Sequence, residues 1–126
     1  MTDCLVGRPR VALLLMRAEE LKGHLDALLL AALEGGPRHG YAVMEALRQS
    51  TGGRLDLPTG TIYPALHRLE QAGLIKGSWS VVGGRRRRMY QLTAAGAEAL
   101  SGKRASWRDF ASMMSAALEG PCPDPA

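Results

Sequence analysis

The sequence predicts a mostly α-helical fold with a small β hairpin, namely a winged helix-turn-helix domain followed by a long C-terminal helix. Three observations predict this fold. Apolar residues recur at three- and four-residue spacing in four separate segments, a glycine pair lies between two β-prone segments, and the order is helix, helix, short strand, helix, hairpin, long helix. With 126 residues, 46% of them apolar, the chain suits one folded domain with one appended element.

The chain is expected to divide into four parts. Residues 1–20 form an N-terminal extension that is loosely ordered or helical, residues 21–92 the winged domain, residues 93–119 a dimerisation helix and residues 120–126 a tail. The first helix begins near Leu21 and ends at the Gly35-Gly36 pair. Its core-facing stripe consists of Leu25, Leu28, Leu29, Ala32 and Leu33.

The next segments predict a helix, a short strand and a third helix. The second helix runs from Tyr41 to the glycines at 52 and 53, and the segment RLDLP at 54–58 alternates like a strand. Thr59 is the expected N-cap of the third helix, which ends at Gly73 and carries Pro64 in its early turns.

The third helix has an outward face suited to a DNA groove. At 100° per residue its core side is formed by Ile62, Ala65, Leu66, Leu69 and Gly73. The opposite side combines small groups with polar side chains: Gly60, Pro64, His67 and Gln71, flanked by Thr61, Tyr63 and Arg68, with Glu70 on the margin. Two interpretations remain open, a groove-reading surface and an ordinary solvated face.

The hairpin favours the first interpretation. Residues 74–82 and 88–92 are expected to pair around Gly83-Gly84, which places Arg85, Arg86, Arg87 and Arg88 at its tip. Four like charges at a tip are hard to neutralise within the chain, and arginine suits both phosphate groups and a narrow minor groove. With a net charge of +4 and a pI near 9.5, the pattern predicts binding to double-stranded DNA.

The last helix carries an apolar seam of its own. Leu100, Trp107 and Met114 are seven residues apart, with Phe110, Ala111, Ala117 and Leu118 beside them. The seam is either a homodimer interface or a surface packed back on its own domain. We favour the dimer because a helix of this length outruns a small winged domain, and a two-fold dimer predicts an inverted-repeat operator.

Specific segments resemble the PadR-like family of transcriptional regulators. They are HGYAVMEAL, GTIYPALHRLEQAGLI, GGRRRRMYQLTAAG and the long last helix, together covering about residues 21–119. The resemblance implies a homodimeric repressor that binds a palindromic operator and is released by a small molecule. It also implies that Tyr41, Thr61, Tyr63 and the wing arginines approach DNA. The segment LPTG departs from the serine-proline pair that many members have before this glycine.

The resemblance further suggests an effector site. In the multidrug-sensing branch of the family, a tryptophan that matches Trp107 sandwiches flat aromatic compounds across the dimer. Met113 and Met114 would suit an adaptable apolar pocket for a small aromatic or drug-like effector. The alternatives are that Trp107 is an interface anchor and that the methionines fill a core.

Other functions fit the sequence less well. His24, His39 and His67 have no paired carboxylate or nucleophile at suggestive spacing, and Cys4 and Cys122 lack neighbours at metal-ligand spacing, so we expect no enzyme, metal or cofactor. No apolar run is long enough to span a bilayer, and we expect a cytoplasmic protein with free thiols. A winged helix whose basic wing binds an acidic protein surface remains the rival function.

Overall fold

Four helices and three strands make up the part of the chain that the computed structural model describes, residues 20–120. They are α1 (Glu20–Ala32), β1 (Arg38–His39), α2 (Gly40–Ser50), α3 (Thr59–Gln71), β2 (Ile75–Val82), β3 (Arg85–Leu92) and α4 (Ala94–Leu118). The expected fold class is therefore confirmed. The predictions for the N-terminal extension, the tail, Cys4 and Cys122 lie outside the described residues.

The sheet is a hairpin with one short added strand. Its order is β1-β3-β2 with antiparallel pairing throughout, so that β3 is central. The turn between β2 and β3 consists of Gly83 and Gly84, whose φ angles of 60° and 78° lie in the left-handed region. Two consecutive residues of this kind form the tight hairpin turn whose twist matches that of the strands.

The core lies between the helices and one face of the sheet. α1, α2 and α3 supply most of it, and Ile75, Tyr90 and Leu100 close it from the sheet and from α4. The expected stripes of α1 and α3 are largely confirmed, with Leu25, Leu29, Ala32, Leu33, Ile62, Ala65, Leu66 and Leu69 buried. In α2 the helical spacing assigns Tyr41, Val43, Met44 and Leu47 to one face; Val43 and Leu47 are buried and Met44 is half-buried, but the assignment is wrong for Tyr41, which is exposed. Leu30, which the spacing left out, is also fully buried. Each such leucine contributes about 1.5–3 kcal/mol by burial.

The strand expected at residues 54–58 is wrong. These residues form an irregular connection from α2 to α3, in which Leu55 and Leu57 are partly buried against the core. Their alternation therefore reflects packing without strand pairing. The second edge of β3 is taken by Arg38 and His39, which pair with Tyr90 and Met89.

Both ends of α3 differ from expectation. Pro58, not Thr59, is the N-cap, and its carbonyl accepts hydrogen bonds from the N–H groups of Thr61 (2.9 Å) and Ile62 (3.1 Å). Pro58 has no side-chain acceptor to cap the helix, and Thr59 is the first helical residue. Gly73 is exposed and does not belong to the core face. Its φ of 80° ends α3 in a Schellman motif, with Leu74 N–H bonded to Leu69 O at 3.1 Å.

The start of α4 is fixed tightly to the end of α3. Thr93 caps α4 by accepting the Gly96 N–H (3.0 Å), while its hydroxyl donates to Gly73 O (2.7 Å). A Cβ at Gly96 would collide with the Leu74 carbonyl oxygen, so only glycine allows this approach. None of the helices in residues 20–120 is long and apolar enough to cross a membrane.

Candidate nucleic-acid interface

The outer face of α3 is exposed as expected. Ile62, Ala65, Leu66 and Leu69 are buried, whereas Gly60, Pro64, His67, Gln71 and Tyr63 are exposed and Thr61 is half-buried. Thr59 at the first helical position is exposed too. The division of α3 into a core face and an outer face is thus confirmed, and its role in DNA binding stays a prediction.

Two tyrosines extend this face towards the start of α2. The Tyr63 ring lies directly against Gly40, where an added Cβ would be only 2.5 Å from the ring carbon Cε1. Tyr41, the next residue, is 60% exposed. Gly40 thus lets the start of α2 approach Tyr63 of α3 closely.

His39 links the sheet to α2. It is the N-cap of α2, where its Nδ1 accepts the Ala42 N–H at 3.3 Å. Burial first, and the positive charge of Arg87 second, hold the pKa of His39 below its ordinary 6.5. The neutral imidazole required by the cap is thereby favoured, and Arg87 is placed near the start of α2.

The arginine run lies within a strand and not in the loop. β3 begins at Arg85 directly after the Gly83-Gly84 turn, so the expected strand start at residue 88 is corrected by three residues. Alternation along β3 puts Arg86 and Arg88 on one face of the hairpin and Arg85 and Arg87 on the other. The wing arginines therefore present charge from both faces of the hairpin.

Trp79 organises one of these faces and was not among the expected site residues. It pairs with Arg88 across the hairpin, and its ring centroid lies 4.6 Å from the Arg86 guanidinium carbon and 5.5 Å from that of Arg88. Such cation–π contacts contribute about 0.5–1 kcal/mol at exposed sites.

Two of the expected DNA-binding arginines already have carboxylate partners. Arg88 Nη2 lies 2.6 Å from Glu70 Oε2 of α3, and Arg68 Nη2 lies 2.6 Å from Asp26 Oδ1 of α1. The expectation that the arginine run finds no partner within the chain is therefore wrong for Arg88.

The Glu70 carboxylate also acts on Tyr90 of β3. Burial first, and the Glu70 carboxylate second, raise the pKa of the Tyr90 hydroxyl above its ordinary value.

The described residues 20–120 contain no cluster of three or more His, Cys, Asp or Glu side chains arranged to hold a metal ion. The candidate interface instead combines an exposed helix face, two tyrosines and a basic hairpin.

Residues 29–102 match the model of the family described as the transcriptional regulator PadR-like family. The chain belongs to this family.

Individual relatives agree with the family match. A PadR family transcriptional regulator from Eggerthella lenta has a TM-score of 0.74 and 28% identity, with 88% of this chain and 96% of that chain covered. One from Clostridium difficile has a TM-score of 0.66 and 35% identity, covering 76% and 99%. The transcriptional regulator Rv3488 of Mycobacterium tuberculosis is 40% identical over 74 residues, which is 59% of this chain and 56% of that protein.

In this PadR-like regulator the expected seam residues of α4 divide into two groups. Leu100 is only 2% exposed, in the core of its own domain. It therefore packs within the protomer, and we leave it out of the candidate interface. Trp107 (53% exposed), Phe110, Met113 and Leu118 are exposed large apolar side chains, while Ala111 and Met114 are half-buried.

Trp107 has aromatic neighbours within the same protomer. Its ring lies edge-on to His24 of α1 at 5.5 Å between centroids, and 6.0 Å from the Phe110 ring. More than half of the Trp107 residue surface nevertheless stays exposed. The role of this exposed aromatic and methionine surface in dimerisation or effector binding stays a prediction.

Proposed function

We propose that this PadR-like regulator binds an inverted-repeat operator as a homodimer, with α3 in the major groove and the β2–β3 hairpin on the adjacent backbone or minor groove. The observation that carries the proposal is the exposure of the α3 outer face beside a hairpin that bears four arginines. The family match supports DNA binding and transcriptional regulation.

Base selection is assigned to the exposed side chains of α3. His67 and Gln71 can bond to base edges, Tyr63 can pack against the sugar-phosphate backbone, and Gly60 leaves room for close approach. Thr59, Thr61, Pro64 and Tyr41 border this surface. Arg68 must exchange Asp26 for a phosphate before it contributes.

Affinity is assigned mainly to the hairpin. Arg85, Arg86 and Arg87 make no ion pair with a carboxylate within the described residues 20–120. Each phosphate that they neutralise releases condensed counterions, which favours binding to any DNA sequence. The hairpin therefore supplies affinity, and α3 supplies sequence preference.

The dimer is assigned to the second half of α4. Four exposed apolar side chains on one helix are costly in water and are buried when two such helices pack. The 25 residues of α4 extend about 37 Å, so the helix is long enough to pair with a second copy beyond its own domain. A flat aromatic effector would bind at Trp107, Met113 and Met114 and release a repressor from DNA.

A gel shift tests the central claim. The probe is the DNA directly upstream of the regulator's own gene, and the control is a scrambled duplex of equal length and composition. We expect clear preference for the upstream duplex. Equal binding to both duplexes would refute the proposed function and favour the rival function, in which the basic hairpin contacts an acidic protein surface.

A further inference from the structure

An acidic side chain lies between the two elements assigned to DNA. Glu70 is in the last turns of α3, and its carboxylate is 2.6 Å from the Arg88 guanidinium of β3. A carboxylate in this position repels phosphate, so electrostatics alone would make Glu70 unfavourable for DNA binding. Its presence needs a physical reason.

The surroundings of Arg88 supply that reason. Its guanidinium lies across Gly77 of β2, where an added Cβ would be 2.7 Å from Arg88 Nε. The same group lies over the Trp79 ring, and Glu70 closes the remaining side. The side chains of Arg88 and Glu70 are only 32% and 26% exposed. Arg88 is thus held on three sides by two different elements.

The other arginines of the run are placed differently. Arg85 and Arg86 follow the Gly83-Gly84 turn directly and are exposed. Arg88 lies opposite Trp79, well down the hairpin. Glu70 is the carboxylate that joins this hairpin to α3, whereas the cation–π contact of Arg86 with Trp79 lies within the hairpin itself.

We propose that Glu70 and Arg88 are positioning residues for DNA binding. Their ion pair fixes the hairpin relative to α3, so that Arg85, Arg86 and Arg87 meet the backbone while α3 lies in the groove. Arg88 does not itself contact phosphate. The proposal rests on the proposed DNA-binding function, and it assigns a favourable role to a negative charge at a DNA-binding surface.

The variant Glu70→Gln distinguishes this proposal from the alternative that Glu70 has no positioning role. If Glu70 only competes with phosphate for Arg88, Glu70→Gln frees a cation and tightens binding. If the pair positions the hairpin, Glu70→Gln weakens binding to the upstream duplex by about three- to tenfold. Glu98→Gln, which removes the same charge from an exposed site on α4, is the matched control and should leave binding unchanged or slightly tighter.

A double-mutant cycle tests whether the two residues act together. We expect Glu70→Gln to have little further effect in an Arg88→Gln background, because the first change has already broken the pair. A full, additive loss in the double variant would overturn the assignment to Arg88. Equal or tighter binding by Glu70→Gln alone would overturn the proposal.

The salt dependence of binding gives an answer that does not depend on Glu70→Gln folding. Arg86→Gln should lower the log–log salt slope by about 0.9, as expected for one lost phosphate contact. Arg88→Gln should weaken binding with an unchanged slope, because the bound complex keeps the phosphate contacts of Arg85, Arg86 and Arg87 and only the cost of ordering the hairpin against α3 rises. A fall of about 0.9 would mean that Arg88 itself contacts a phosphate and would overturn the proposal. Failure of the wild-type protein to prefer the upstream duplex would instead refute the proposed function, so the two failures are distinguishable.

Discussion

Replacing Gly96 by alanine should displace the start of α4 and lower the free energy of unfolding. A Cβ at this position collides with the Leu74 carbonyl oxygen and lies 3.1 Å from Leu92 Cδ2. The carbonyl cannot move away freely, because it also accepts the Thr93 N–H at 3.1 Å. The change therefore strains backbone on both sides of the contact.

The expected loss in the free energy of unfolding is the sum of two unfavourable contributions and one favourable contribution. Overpacking costs about 1–3 kcal/mol, and weakening the Thr93 hydrogen bond costs about 1 kcal/mol more. The better helix propensity of alanine returns at most about 1 kcal/mol. The net loss is about 1–3 kcal/mol, which lowers the Tm by roughly 5–15 °C for a domain of this size.

Thermal unfolding at a fixed protein concentration measures this loss, since the proposed dimerisation would make the Tm depend on concentration. Gly102→Ala is the matched control, because a Cβ there meets nothing within 4 Å and the residue lies exposed in the same helix. We expect the control to gain up to about 1 kcal/mol from helix propensity. A Gly96→Ala variant as stable as Gly102→Ala would refute the reasoning.

Three further predictions concern the proposed interfaces and the pH dependence. Alanine at all four positions of Arg85–Arg88 should weaken binding to every DNA sequence and reduce the log–log salt slope by about 2.7, for three contacts; an unchanged slope in a filter-binding titration would exclude wing contact. Folding lowers the pKa of His39, so as the pH falls the unfolded state takes up a proton before the folded state does. The contribution of His39 to the free energy of unfolding is therefore complete above pH 6.5 and is lost as the pH falls below that value. His39→Asn should keep a cap acceptor and remove this part of the pH dependence, and equal losses for both proteins in urea unfolding would disprove the assignment. Trp107→Ala should loosen the dimer in light scattering or abolish the effector response while the protomer stays folded; if neither changes, the seam is misplaced.

Local spacing was sufficient to predict the helices and the hairpin. The outer face of α3 follows from 100° per residue once Ile62 and Leu66 are assigned to the core, and burial confirms it. The Gly83-Gly84 pair predicts the hairpin because a two-residue turn of type I′ needs positive φ at both positions, which both glycines adopt. The same turn also fixes the register, so Trp79 could have been placed opposite Arg88 from the sequence.

Pairings between distant segments could not be predicted in this way. A strand forms only where an edge accepts it, and Arg38-His39 occupies the free edge of β3 although its sequence carries no strand pattern. Leu55 and Leu57 show the alternation typical of a strand, but residues 54–58 pair with no strand. Likewise, nothing in the arginine run distinguishes Arg88, because its partner Glu70 comes from another element.

The two halves of α4 are separated by what they contact, and this decides how its variants should be interpreted. The first half is held to the winged domain by Leu100 in the core and by Arg104, whose Nη2 and Nη1 lie 2.7 Å and 2.9 Å from the two carboxylate oxygens of Glu34. The second half, from Trp107 onwards, exposes its large apolar side chains. We therefore expect a substitution in the first half to act on protomer stability, and one in the second half to act on the proposed association of two copies. Because one continuous helix joins the halves, any change in how two copies pack at Trp107 in the proposed dimer would alter the spacing of the two α3 helices.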